Sequence, residues 1–156
     1  MPKGLFKIAD YIITSAHKTL PTLTQGAYLL VNDENSNVEF YISAFNTTSP
    51  SYLIMASLEY GRYYLDEYSN EDYSKLISLA ESYKDKINSL NKVRVLSEDD
   101  LQAGYILDKS RYVFVLPKGY SGSKLSDYLR KNKIQAEMSF SRGIVLLLSP
   151  FSTEED

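Results

Sequence analysis

The stretch Asp10–Asn32, DYIITSAHKTLPTLTQGAYLLVN, decides the fold. Its opening run, residues 10–16, is short, β-branched and aromatic, and is closed by small polar residues, which predicts a buried strand. That strand delivers Ser15, His17 and Lys18 at its carboxyl end. Gly26 to Asn32 predicts a second strand, and NDENSN, residues 32–37, is the turn after it. Ligands of α/β sheets sit outside the carboxyl ends of the strands. Lys18 and the chain's only histidine therefore occupy the place where such a sheet keeps its chemistry.

Downstream, NTTSPSY, residues 46–52, is a polar loop entering a helix. Ser49 is the expected cap and Pro50 the first helical residue, where a missing N–H costs nothing. The helix continues through SYLIMASLEYGRYYLDEY, with Ile54, Leu58 and Leu65 near one face. Asn70 is the expected cap of EDYSKLISLAESYKDKINSL, where Tyr73, Leu76, Ile77, Ala80, Tyr83, Ile87 and Leu90 recur at helical spacing. From Lys92 the texture changes: KVRVLS, YVFVLP, IQAEMSF and GIVLLLSP are strand-like, and SGSKLSDYLRKNK is a short helix between the second and third. This order predicts a small α+β unit. Within IQAEMSF, alternation sets Ile134, Ala136, Met138 and Phe140 against Gln135, Glu137 and Ser139. The expected division of the chain is 1–90 and 91–156.

With 156 residues, 44% of them hydrophobic and 24% charged, the chain is a folding sequence, one ordinary domain or a piece of a larger one. A net charge of −3 without a basic block excludes phosphate-backbone binding, so no nucleic acid is expected. No apolar run approaches the roughly 20 residues needed to span a bilayer, and MPKGLFKIADYIITSAH lacks the order of a signal peptide, so the expected location is cytoplasmic with no membrane partner. Absence of cysteine excludes disulfides and thiolate chemistry, one histidine excludes a multi-histidine site, and no metal is expected. Glu98-Asp99-Asp100 and Glu154-Glu155-Asp156 lack the glycine and spacing of a calcium loop and are a solvated turn and tail. Tyr60, Tyr63, Tyr64 and Tyr68 fall along a helix and pack. Gly119 and Gly122 precede no Gly-Lys-Ser/Thr ending and form a turn before a helix.

A lysine serves covalent catalysis when its amine, normally protonated at neutral pH, is made neutral by its setting; the expected buried position of Lys18 at a strand end provides one. With pyridoxal phosphate, such a lysine forms a Schiff base, and the protein also supplies phosphate donors and a partner for the pyridinium nitrogen. Ser15, His17 and the Thr47–Ser49 loop offer donors, and a helix start at Ser49 would favour phosphate.

SAHKTLPTLTQGA followed by TTSPSYLIMASLE resembles the cofactor-lysine segment and the following loop and helix of the bacterial Orn/Lys/Arg decarboxylase family, pyridoxal-phosphate enzymes of the aspartate-aminotransferase fold. The resemblance covers roughly residues 5–66 and continues more faintly from about 104, where GYSGSKLSDYL, IQAEM and LLLSPFSTEED match a turn and helix, a strand bearing a glutamate, and a closing strand. It implies an α/β fold class: part of the large transferase domain, with its lysine-bearing strands and helices, followed by a small α+β unit. It further implies that Lys18 is the Schiff-base lysine and that Ser15 and His17 contact the cofactor phosphate. Thr48 and Ser49 match a loop that reaches the partner's active site in dimers of this fold, which implies a homodimer or higher oligomer. Glu137 matches a glutamate of the small domain whose role is unassigned. The implied substrate is a basic amino acid.

The sequence also departs from the family pattern. The family places a phosphate cup, a ring-stacking residue and an Asp-x-x-His segment ahead of the cofactor lysine, whereas here seventeen residues precede Lys18 and Asp10 is the sole upstream acid. The expectation is a decarboxylase that is incomplete or inactive alone, completed by an upstream companion chain. The alternative is a noncatalytic interaction module derived from such an enzyme, because two apolar strands without neighbours expose edges that invite association.

Overall fold

The computed structural model describes residue 4 and residues 7–153, so the acidic tail Glu154-Glu155-Asp156 lies outside the described residues. The chain divides into two compact units that part between Asn70 and Glu71. The packing of one helix sets this position: residues 71–89, which the expected division at 90/91 groups with the first part, contact the sheet of the second unit.

In the first unit, β1 (Tyr11–Ser15) and β2 (Ala27–Val31) form a two-stranded antiparallel sheet. The register pairs Tyr11 with Val31, Ile13 with Leu29 and Ser15 with Ala27. Alternation along the strands puts Ile12, Thr14, Tyr28 and Leu30 on one face, and Tyr11, Ile13, Leu29 and Val31 on the other. Helix α2 (Tyr52–Glu67) packs on the residues that lead into and form β2: Tyr28 Oη donates to the Leu58 carbonyl, and Ser57 Oγ accepts the Leu23 amide at 2.6 Å. The approach at Gly61 is so close that a Cβ there would meet Thr22 Cγ2 at 2.4 Å. The buried strand expected over residues 10–16 is therefore corrected. β1 is exposed or half-buried along its length, and Ile13 is 79% exposed.

Helix α1 (Val38–Phe45) was not expected. Five of its eight residues, Val38, Phe40, Tyr41, Ile42 and Phe45, are β-branched or aromatic, and Asn37 makes no side-chain cap. None of its residues is buried. Helix α2 starts two residues beyond the expected Ser49–Pro50 boundary. Ser51 is the cap, accepting the Ile54 amide at 3.4 Å, whereas the Ser49 amide is held by Thr47 Oγ1 at 3.2 Å in a local turn. On its solvent face Arg62 bridges Glu59 at 2.7 Å and Asp66 at 2.6 Å. Tyr68 ends the helix, its amide reaching the Tyr64 carbonyl at 2.9 Å.

The second unit consists of most of α3 (Ser69–Ser89), with β3 (Arg94–Val95), β4 (Arg111–Val115), α4 (Gly122–Lys131), β5 (Met138–Phe140) and β6 (Gly143–Leu147). Asn70, the expected cap, lies inside the first turn of α3. The four strands form one antiparallel sheet in the order β3-β4-β6-β5. Ala80 of α3 packs with Val95 and Tyr112, and Ile87, Phe114, Leu146 and Leu148 close around them. Tyr112 Oη donates to the Ala80 carbonyl, so the buried phenol tethers β4 to α3. Helix α4 begins at the Ser121 cap and sits on β5 and β6, where a Cβ at Gly122 would fall 2.1 Å from the carbonyl oxygens of Phe140 and Gly143.

The strand expected over IQAEMSF is shorter than its alternation implies. The Ile134 amide reaches back to the Leu129 carbonyl at 2.9 Å, so residues 132–135 serve the end of α4 and only Met138–Phe140 are strand. Glu137 is exposed just before β5, with its amide on the Val145 carbonyl at 2.9 Å. No helix among the described residues is long and apolar enough to cross a membrane.

Candidate functional site

At the carboxyl end of β1 the backbone tightens into one 3₁₀ turn, Ala16–Lys18. Ala16 is the anchor: it is 1% exposed, its amide reaches the Gly26 carbonyl at 3.0 Å, and its own carbonyl accepts the Leu20 amide at 2.9 Å. His17 Nδ1 also lies 3.0 Å from the Gly26 carbonyl. A carbonyl only accepts, so Nδ1 carries the proton in this contact, and Nε2 of the neutral ring is left as an acceptor. Two contacts to one carbonyl thus fix the turn against the start of β2 and orient the half-buried imidazole.

Lys18 ends this turn and is exposed. The expected buried setting is corrected, for a structural reason. The sheet has only two strands, most of whose residues are exposed or half-buried, and Lys18 ends the 3₁₀ turn that follows β1. Among the described residues the Lys18 ammonium has no ion-pair partner. Ser15 is half-buried at the strand's last position, opposite Ala27.

Ser15, His17 and Lys18 share the end of β1 and the turn after it, and Thr48 and Ser49 stand between α1 and α2. Both lie in an exposed loop, and among the described residues no hydrogen bond joins them to residues 15–18. With the helix start at Ser51, Ser49 is no longer the residue whose side chain meets helical amides. Asp10 flanks the opposite end of β1, five residues from Ser15, or about 16 Å at strand spacing. Beside it, Tyr11 Oη donates to Asp33 at 2.5 Å, a bond that holds the Asp33 carboxyl below the ordinary range. These acids sit at the wrong end of the strand to serve a ring beside Lys18.

Residues beyond the expected site also shape it. Thr22 lies in the return from Lys18 to β2, with its Oγ1 buried and, among the described residues, without a hydrogen-bond partner. Gln25 adopts a φ of 78° immediately before Gly26, which turns the chain into β2. The threonine-rich segment TLPTLTQG marks a turn in the sequence, but nothing in it distinguishes the threonine that becomes buried. Two cavities of about 620 and 210 Å³ lie in the second unit, the larger lined by Asn88, Lys92, Arg94 and Pro117, and the smaller by Glu81, Lys109 and Tyr112. Neither includes Lys18.

Comparison with known proteins gives this geometry a context. Residues 7–114 match the family model described as Orn/Lys/Arg decarboxylase, major domain. An arginine decarboxylase of Bacillus cereus is 32% identical over 155 residues, covering 95% of this chain and 34% of that protein. The uncharacterized protein YaaO of Bacillus subtilis is 30% identical over 145 residues, covering 90% of this chain and 30% of that protein. The chain thus spans about a third of the length of the curated relatives it matches. In fold it is similar to the lysine decarboxylase LdcF of Francisella novicida, with a TM-score of 0.83 at 17% identity, covering 93% of this chain and 26% of that one. The constitutive lysine decarboxylase of E. coli gives 0.81 at 16% identity, with the same coverage. The family match embraces β1, the Lys18 turn, β2 and helices α1 to α3, and the chain belongs to the Orn/Lys/Arg decarboxylase family.

Proposed function

We propose that this chain contributes the cofactor lysine, Lys18, to a pyridoxal-phosphate-dependent decarboxylase acting on a basic amino acid. The observation that carries the reading is the Lys18 amine itself: accessible, free of ion pairing among the described residues, and set on an anchored turn within the matched segment. In this reading residues 1–90 correspond to part of the large domain with its linking helices, and residues 91–156 to the small carboxyl-terminal domain. The protein is cytoplasmic and works as a homodimer, with the Thr48–Ser49 loop serving the partner's site.

The residues present fit one side of the cofactor. Lys18 Nζ suits its aldehyde, and the Ser15 hydroxyl and His17 imidazole suit its phosphate. Among the described residues no acid pairs with Lys18, and Asp10 lies at the far end of β1, so none of them is placed to serve the ring nitrogen. When bound, pyridoxal phosphate supplies the electron sink for loss of carbon dioxide. The Gly26 carbonyl accepts from His17 Nδ1, which leaves Nε2 as the ring nitrogen open to a ligand. Desolvation favours the neutral, nucleophilic form of a lysine, and in this chain by itself Lys18 stays in water. The acid and the desolvation both come from a further polypeptide segment that covers the turn.

Absorption spectroscopy tests the reading. The chain is combined with pyridoxal phosphate and with the portion of the Bacillus cereus arginine decarboxylase that precedes the aligned region. A yellow absorbance band that disappears in Lys18→Ala is expected. A band of equal strength in Lys18→Ala would exclude Lys18 as the cofactor lysine.

A further inference from the structure

β3 is an edge strand of the four-stranded sheet, and among the described residues β4 is its one strand neighbour. The Leu96 amide reaches the Val113 carbonyl of β4 at 3.0 Å, so the amide and carbonyl of Val95, one residue earlier, point to the opposite, outer side. An outer edge of this kind ordinarily presents unpaired N–H and C=O groups and invites another strand. Here a side chain takes both. Asn88, in the last turn of α3, accepts the Val95 amide on Oδ1 at 2.8 Å and donates from Nδ2 to the Val95 carbonyl at 3.1 Å. A primary amide carries a donor and an acceptor side by side, so Asn88 gives β3 the pair of bonds that a residue of a neighbouring strand would give.

The surroundings hold this amide in place. The Asn88 carbonyl accepts the Asn91 amide at 3.2 Å, and Asn91, at a φ of 55°, turns the chain from the end of α3 back toward β3. Val95 is 1% exposed and packs with Ala80 of the same helix, so water has little access to replace the bonds that Asn88 makes.

We propose that Asn88 is a latch: it occupies the outer edge of β3 in place of a strand and thereby keeps a second copy of this chain from pairing there. The geometry of the edge selects a second copy as the polypeptide held off. In an antiparallel pair, two residues directly opposite each other exchange both of their main-chain bonds. With Asn88 removed, Val95 of one copy and Val95 of another can exchange across a two-fold axis the two bonds that Asn88 now supplies. Lys92 and Arg94, which flank Val93 on the same segment, add a second and weaker barrier, since like charges brought together at a shared edge repel. Salt screens that repulsion and leaves the latch intact. The latch does not depend on the reading of Lys18.

Hydrogen–deuterium exchange read at single amides, together with sedimentation velocity, tests the proposal on the full chain. Asn88→Ala is compared with the parent over a range of concentrations at raised salt, which screens Lys92 and Arg94. In the dilute variant the Val95 amide is expected to exchange about tenfold faster or more, while the Leu96 amide, bonded to β4, keeps the parent's protection and shows that the sheet is intact. As concentration rises, the variant should add an association step that the parent lacks, and Val95 should regain protection in the associated form. Val95 exchange equal to the parent's would show that Asn88 is not its partner. Fast Val95 exchange at every concentration, with association no different from the parent's, would show that the latch holds nothing off. Either result overturns the proposal. If Asn88→Ala also loses protection at Leu96, the milder Asn88→Ser is read by the same two criteria.

Discussion

Thr22 presents a methyl group that fits against Gly61 of α2 and a hydroxyl that is buried without a partner. An unsatisfied buried hydroxyl costs free energy, whereas a methyl in its place costs little. Thr22→Val is therefore expected to leave stability unchanged or raise it by up to about 1 kcal/mol in urea unfolding. A loss larger than that would show that the hydroxyl is bonded. Lys18 presents the opposite case, a polar group that the fold leaves fully in reach. Its position after a β-branched strand was legible in residues 10–18, because strand propensity and small polar closure are local properties. Its exposure was not. Burial at that end of β1 depends on which polypeptide lies alongside, and no residue of the strand encodes that.

At the scale of elements, the sequence was most informative where periodicity is long. The three- and four-residue recurrence through α3 marks Leu76 and Ala80, and both are buried. The β-α-β-β order of the second unit is likewise present in the structure. Boundaries failed where two local bonds competed. Ser49 and Ser51 flank the same proline, and the Thr47 hydroxyl takes the Ser49 amide, leaving Ser51 to cap α2. Alternation through Ile134–Phe140 could not anticipate that the Ile134 amide would finish α4. The turn after β3 gives this scale its test. Asp100 accepts the Ser97 amide at 2.8 Å and pairs with Arg94; the backbone bond first, and Arg94 after it, hold its carboxyl below the ordinary range. Glu81 is lowered in the same sense by its hydrogen bond from Lys109. A carboxyl whose folded value is depressed stabilises the fold above its unfolded value, near pH 4, and that stabilisation is lost as pH falls through the folded value. The urea midpoint should accordingly drop on acidification below about pH 4. It should drop less steeply in an Asp100→Asn, Glu81→Gln double variant, and an equal slope in both proteins would contradict the assignment.

At the scale of the whole molecule, the two units differ in completeness. The second has a four-stranded sheet, two helices packed on it and a core that includes the fully buried Ile144. The first has a two-stranded sheet and a helix, α1, without buried residues. The candidate site resides in this first unit, and there Lys18 is exposed on its turn and, among the described residues, without an ion-pair partner. The proposed role of Lys18 is to bind the cofactor covalently. Borohydride reduction of the pyridoxal-phosphate-treated complex, followed by peptide mass spectrometry, tests it most directly. The pyridoxyl group is expected on the peptide containing Lys18 and on no other lysine of this chain. Label spread over the surface lysines, or its absence from Lys18, would contradict it.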